Sequence, residues 1–449
     1  MLALLDVLVV EDERTDEQFW REQKLVHIPA VPRPTSFLDI LTEAEDSING
    51  KTIAIPKMYI GGDDPKAKPT AVSQDVIDLW QQARKDLEAL GATVLETDFP
   101  LVMNYEDDSV SGHVNNVVGF KPDWNGKERG ELVAYFWDDF LKSNGDPKYP
   151  GLAFVDGSQM FPRPQGYIPD KYMEHKNFMD YPGLVEIAQN RNGKSIWEVD
   201  GMNEALPALE AQRKRDFEDW MVGNGIDFVV FPANGDVGKA DLDTNEESAK
   251  HALQNGVKYS NGNRAIRHMG VPTVSVTMGM QARSKMPVNL TFAAGHGADS
   301  ELLKWAYAFE QKTKKRVQPP VTPALPTDTI ETKGNAVKSA SSPSTLRITA
   351  AHKVGDTRIR IEGTAESFSD EETTLEVWVD GRPVGKPPVG ANGEWSLEED
   401  FTHFEPQKAL YGGVGQVVRN VNVVILARGE SGVIGKLITI DQKRPVEAS

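Results

Sequence analysis

The side chains of this sequence that could do covalent or metal chemistry are few and scattered. A serine nucleophile on a tight strand-to-helix elbow needs a glycine two residues before it and another two residues after it. The nearest approach, Gly157-Ser158-Gln159, has neither, and Ser158 reads as a loop serine. His113, His268 and His296 stand alone, and no histidine pair has the helical spacing with an intervening carboxylate that a zinc hydrolase uses. Asp236, Asp241, Asp243, Glu246 and Glu247 make an acidic run that lacks the glycine and terminal glutamate of a calcium loop, so it reads as a solvated loop. Gly295 to Ser300 (GHGADS) has only a loose likeness to a phosphate-cradling turn. There is no cysteine, which removes disulfides, thiol nucleophiles and cysteine-ligated metals together.

The composition narrows the classes further. At 449 residues two or three domains are expected, with enough apolar sequence for a sizeable core. A formal net charge of -18 argues against nucleic acid as a partner. The apolar start, MLALLDVLVV, lacks a basic leader and a small-residue cleavage site and is broken by Asp6, so it reads as a buried helix. No segment reaches the length of a membrane span, and no membrane partner is expected. The compartment stays open.

The elements that would position a site alternate between helix and strand over the first 325 residues. Lys51 to Ile55 reads as a strand. Val76, Ile77, Trp80, Ala83, Leu87 and Leu90 fall on one helical face, and Gly91 and then Thr93 to Leu95 open the next strand. Strand, crossover helix and strand favour a parallel pair in a sheet covered by helices. Ala205 to Met221 reads as a helix and Phe228 to Phe231 as a strand. Thr273 to Thr277 and Val288 to Ala294 read as further strands, the first of them buried, and a helix follows with its cap at Asp299 or Ser300. The fold class expected is α/β. Residues 104–203, rich in Tyr, Trp, Asn, Pro and Gly, read as an insertion, equally a lid or an ordinary surface feature. A proline- and serine-punctuated linker covers 326–344, and 345–445 shifts to a period of two, as in an all-β immunoglobulin-like sandwich with hairpin signals at Asp380-Gly381 and Asn392-Gly393.

Five stretches carry a resemblance. NGKTIAIP from Asn49, GATVLETDFP from Gly91, DFVVFPA from Asp227, NRAIRHMGVPTVSV from Asn263, and MPVNLTFAAG with ELLKWAYAFE look like successive landmarks of the carboxy-terminal half of amidase-signature hydrolases. The resemblance covers roughly residues 1–320. It implies a mixed sheet covered by helices and hydrolysis of a small-molecule carboxamide through an acyl-serine intermediate, with no metal or organic cofactor. Such enzymes use a serine nucleophile, a second serine in a Gly/Ser-rich loop and a lysine, all upstream of the region seen here. Neither a Gly-Ser-Ser-Gly-Gly type loop nor a matching lysine occurs in the sequence. No catalytic residue is carried over. The expectation is a truncated, inactive form whose incomplete sheet exposes apolar edges and aggregates.

By the same resemblance, the substrate wall would lie along Tyr259 to Asn263 and in the aromatic insertion near Phe161, Tyr167 and Tyr172. Tyr259, Asn261, Asn263 and Tyr167 are the named substrate-binding candidates. The alternative is a non-catalytic α/β scaffold carrying the β-sandwich as a binding or docking module, with Trp378 and Trp395 equally suited to its core.

Overall fold

The computed structural model describes residues 1–9, 23–31, 33–112, 115–161, 166–172, 179–255, 260–318, 345–355, 357–365, 374–400, 421–429 and 432–440. Tyr259, His113 and the expected linker 326–344 lie outside these residues. The chain divides into two compact units, Met1–Gln318 and Pro319–Ser449.

The first unit is built on one mixed five-stranded sheet. Its strands are β1 (Thr52–Pro56), β2 (Thr93–Thr97), β3 (Phe228–Pro232), β4 (Thr273–Met280) and β5 (Pro287–Ala293), in the order β2-β1-β3-β5-β4. β1 pairs in parallel with β2 and with β3, while β5 runs antiparallel between β3 and β4. Central position explains sequence: every residue of β3 is buried, and it is a continuous apolar run. The crossover helix Gln74–Ala89 starts where the Ser73 hydroxyl accepts from the Val76 N–H, and buries Val76, Trp80, Ala83 and Leu87 on one face. Gly91, at φ +90°, supplies the left-handed turn into β2.

Four expectations need correction. Leu2–Leu8 is a helix, but none of its residues is buried. Two turns of LALLDVL are apolar all round, so one side is left outside, and its tie to the unit is polar: the Asp6 carboxylate accepts from Ser36 Oγ (2.7 Å) and the Phe37 N–H (2.6 Å). Among the described residues β4 is a half-exposed edge strand rather than a buried one. Its TVSVT run alternates, with Val274 and Val276 packed on the core and Thr273 and Ser275 exposed. The last helix, Asp299–Thr313, takes Ala298 as its N-cap. The helix expected over 205–221 spans Met202–Gly223 and is interrupted by a π-helical turn at Lys214–Glu218.

Between the first helix, the open edge of β4 and the last helix runs a groove of about 1050 Å³, lined by Leu5, Phe37, Val274, Val276, Leu303 and Tyr307 among others. Leu4 and Leu8 of the first helix stand 50% and 65% exposed. An unpaired strand edge next to apolar surface is a template for association. The protein is therefore expected to self-associate at micromolar concentration, and Leu4→Lys with Leu8→Lys to shift it toward monomer. Light scattering that gives one monomeric mass for the unsubstituted chain at all concentrations would contradict this.

Much of the insertion is helical, which its aromatic, asparagine-rich composition did not announce. The helix Trp124–Lys127, a π-helical turn at Glu128–Leu132, and the helices Val133–Asn144 and Tyr181–Gln189 enclose a second core around Trp124, Tyr135, Leu152, Leu184 and Ile196.

The second unit is all antiparallel. Its strands are β6 (Leu346–Val354), β7 (Arg358–Ala365), β8 (Thr374–Val379), β9 (Arg382–Gly385), β10 (Glu394–Asp400), β11 (Val421–Gly429) and β12 (Gly432–Ile440). They form sheets ordered β10-β7-β6 and β12-β11-β8-β9 that share one apolar cluster. Asp380-Gly381 turns β8 into β9 with both residues at positive φ, as its sequence required. Asn392-Gly393 instead closes a tight turn ahead of β10, which pairs with β7 and not with β9. Trp395 is buried in this core, and Gly363 makes room for it: a Cβ there would meet the indole at 2.8 Å and the Arg347 carbonyl oxygen at 2.3 Å. Among the described residues, no helix in either unit is long and apolar enough to cross a membrane.

Candidate functional site

Three parallel strands bring their carboxyl ends to one rim of the sheet, the place where open α/β sheets bind ligands. Each strand delivers a polar side chain there. The 3-10 turn after β1 ends at Tyr59. The helix after β2, Pro100–Glu106, carries Tyr105 and Glu106 on its last turn. After β3 the chain returns at Asn261, whose N–H donates to the Ala233 carbonyl (2.9 Å) and whose Nδ2 donates to the Pro232 carbonyl (2.7 Å). The next residues open the short helix Asn263–His268, which sets Arg264 and His268 one turn apart on the same face.

Two of these groups, Tyr105 and His268, form a connected chain with Glu128. Tyr105 Oη lies 2.7 Å from His268 Nδ1, and His268 Nε2 lies 2.6 Å from Glu128 Oε1. A carboxylate can only accept, so Nε2 carries the proton in the neutral ring and Nδ1 accepts from the phenol. The His268 ring is held edge-on to Tyr105 and tilted against Phe120. Glu128 opens the π-helical turn Glu128–Leu132, a kind of irregularity that recurs at functional sites.

Burial sets the electrostatics. Tyr105 and Glu106 are only 3% and 4% exposed. Desolvation pushes the Tyr105 phenol far up; the Arg264 charge pulls against it and the Glu128 charge adds to it. Tyr59 is raised well above the ordinary phenol range by burial and then by Glu106, with the Gly262 N–H opposing from its hydrogen bond. Gly262 is required there: its φ is +67°, and a Cβ would sit 3.4 Å from Tyr59 Oη and 3.1 Å from Ile266 Cδ1. Burial, then the charge of Arg264, lowers the Arg129 guanidinium. Both phenols therefore stay protonated at neutral pH. The arrangement can orient a neutral phenol through an imidazole and a carboxylate, with two guanidinium groups alongside.

No protein-family model matches the chain, and no curated protein matches it. Solved structures do, and those that follow align weakly. An amidase family protein from Bacillus anthracis str. Ames aligns with a TM-score of 0.39 and 14% identity, over 65% of this chain and 43% of that one. Native peptide amidase from Stenotrophomonas maltophilia gives 0.39 and 18%, over 65% and 48%. A bacterial aryl acylamidase belonging to the amidase-signature enzymes gives 0.35 and 14%, over 63% and 47%. The chain spans about half the length of these relatives. No site residue is carried over from them.

The sequence candidates fall unevenly around this rim. Asn261 is buried, its amide donor occupied by β3, and its Oδ1 has no hydrogen-bond partner among the described residues. Asn263 is exposed at the start of the Arg264 helix. Tyr167 is half-buried beside the acidic loop, where the Ile168 N–H donates to the Asp243 carbonyl (3.0 Å). Tyr172, in the same insertion, donates to Glu246 Oε1 (2.8 Å), while Phe161 is 62% exposed. Ser158 closes a local turn on Asp156 Oδ1, as a loop serine does. His268 is not an isolated histidine but the centre of the relay. Only its four-residue spacing from Arg264 was visible, because Tyr105 and Glu128 lie 163 and 140 residues away.

An ion-pair network anchors the π-helical turn from outside. Asp200 accepts from Lys121 Nζ (2.8 Å) and Lys127 Nζ (2.6 Å), which together hold its carboxyl down at about 2. A folded-state value below the ordinary 3.8 means the contribution is complete above 3.8 and lost as pH falls through about 2. An NMR titration is expected to place the Asp200 midpoint near 2, and near 3.8 in the Lys121→Met, Lys127→Met double variant. An unchanged midpoint in that variant would contradict the pairing.

Proposed function

We propose that residues 1–318 form the non-nucleophilic part of an amidase-signature hydrolase acting on carboxamide carbon–nitrogen bonds, and that the 449-residue chain alone turns over no amide. One observation carries this reading. The five stretches that resemble the family's landmarks lie, in order, on β1, β2, β3, β4 and β5 of a single mixed sheet, with ELLKWAYAFE on the helix that follows. A chance likeness would have no reason to distribute one landmark to each strand.

The chemistry asks for a serine activated by a base, and the sequence holds neither a Gly-Ser-Ser-Gly-Gly type loop nor a matching lysine. Asn261, Asn263, Tyr167 and Tyr259 are proposed to belong to the wall facing a small carboxamide substrate. The two antiparallel sheets of 345–445 are proposed to be an immunoglobulin-like sandwich joined through 326–344. The test is direct. The purified chain is expected to show no hydrolysis of benzamide or amino-acid amides and no labelling by a fluorophosphonate. Amide turnover abolished by a sulfonyl fluoride would overturn the assignment of a missing nucleophile.

A further inference from the structure

We propose that Arg264, with Arg129 beside it, forms a binding site for an oxyanion, a ligand's carboxylate or phosphate group, at the carboxyl-end rim of β1, β2 and β3. Oxyanion binding here stands whether or not the chain is part of an amide hydrolase.

The primary observation is Arg264 Nη1, which is closed off from solvent and has no hydrogen-bond partner among the described residues. A guanidinium offers five N–H donors in a planar fork shaped for two oxygens of one anion. Leaving such a donor buried and unused is unfavourable, so a site that keeps one is shaped for an acceptor that arrives from outside. The neighbouring acceptors have other work. Glu128 Oε1 accepts a hydrogen bond from His268 Nε2–H, and His268 Nδ1 accepts one from the Tyr105 hydroxyl. Glu106, buried at the end of the Pro100–Glu106 helix, has interactions of its own.

The second observation is the neighbour. Arg129 follows Glu128 on the π-helical turn, and its guanidinium is buried enough, and near enough to Arg264, to be lowered by both. Arg129 has interactions of its own, and the Tyr105 and Glu128 charges favour its cationic form, so it adds positive potential to an anion held on Arg264. The relay contributes position. His268 lies four residues after Arg264 on one face of its helix, so the Glu128–His268 bond fixes the helix carrying Arg264 against the turn carrying Arg129. The placement, at the rim where parallel sheets receive ligands, is independent of the charges.

The experiment titrates the full chain with inorganic phosphate and with acetate, each against chloride at matched ionic strength, reading arginine side-chain N–H resonances and the unfolding midpoint. Saturable binding to at least one oxyanion is expected, with chloride giving no comparable response. Preference for phosphate assigns a phosphate ligand, and preference for acetate a carboxylate one. Arg264→Gln is expected to weaken binding at least tenfold and Arg129→Gln severalfold, while Arg84→Gln, on a surface ion pair with Glu88 and Glu96, leaves it unchanged. Circular dichroism verifies that each variant is folded. Absence of a saturable response in the unsubstituted protein would overturn the proposal without reference to any variant, and so would wild-type affinity in folded Arg264→Gln.

Discussion

Replacing Arg191 by alanine is expected to cost about 3 kcal/mol of stability, toward the lower end of the roughly 3 to 5 kcal/mol seen when one partner of a buried ion pair is removed. Arg191 Nη1 reaches Asp138 Oδ2 at 3.1 Å and the Tyr135 carbonyl at 3.2 Å, and the guanidinium lies 4.5 Å from the Tyr135 ring centroid. Burial alone pulls this guanidinium down, but the Asp139 and Asp138 carboxylates outweigh it and raise it. Asp138 is the reason for the cost: its side chain is 3% exposed and would lose its guanidinium partner. It keeps two partners, Lys142 Nζ (2.6 Å) and the Leu152 N–H (3.0 Å), which holds the loss near the lower bound. Asp139→Asn is the contrast, at about 1 kcal/mol or less, because Asp139 is half exposed. Urea unfolding would measure both. Equal losses for the two variants would mean that the buried Asp138 is not the group being neutralised.

The functional consequence passes through the π-helical turn. The layer that Arg191 ties together runs directly on from Glu128 and Arg129. Loosening it frees Glu128 from His268, so amide exchange at residues 128–132 should quicken in Arg191→Ala beyond what global unfolding explains.

What could be read from the residues, and what could not, divides along sequence distance. The Gln74–Ala89 helix was legible because its cap, its apolar face and its terminating glycine lie within one window, and β1 and β2 pair in parallel as that crossover demanded. Apolar content gave β3 correctly for the same reason. The position of β5 between β3 and β4 is a pairing choice over tens of residues, invisible to local pattern, and it is what makes β4 an edge. Reading TVSVT as buried weighed its β-branched content above its alternation. The Leu2–Leu8 helix failed differently: apolar residues on every side do not say which side is covered. The relay was hidden because polar groups brought from the ends of separate elements leave no periodic trace. Of the Asn261 to Asn263 segment, the sequence indicated the neighbourhood but not the role. Asn261 and Gly262 serve the backbone of β3 and the Tyr59 phenol, and the first ionic side chain after that segment is Arg264.

The sheet beneath the rim should respond most strongly to Phe228→Ala, with an expected loss of about 4 to 5 kcal/mol, the upper part of the range for truncating a buried aromatic. Phe228 is fully buried at the start of β3, where it pairs with Ile53 of β1. Its ring stacks on Trp305 at 4.2 Å between centroids and 13° between planes, and lies 5.8 Å from Phe292. Stacked aromatics add about 0.5 to 1.5 kcal/mol beyond the area they bury. Three elements close on this one ring: β3, β5 through Phe292 and the last helix through Trp305. Because β3 joins the parallel half of the sheet to the antiparallel half, a cavity there is bordered by strands on both sides and cannot collapse without moving one of them. Phe154→Ala, at a side chain 71% exposed, should change stability by no more than about 0.5 kcal/mol. The two variants share the same chemical deletion, so the difference between their denaturant midpoints isolates burial. If Phe228→Ala unfolds no earlier than Phe154→Ala, the Phe228, Phe292 and Trp305 stack is not part of the folding core, and the rim that presents Tyr59, Tyr105 and Arg264 loses its foundation.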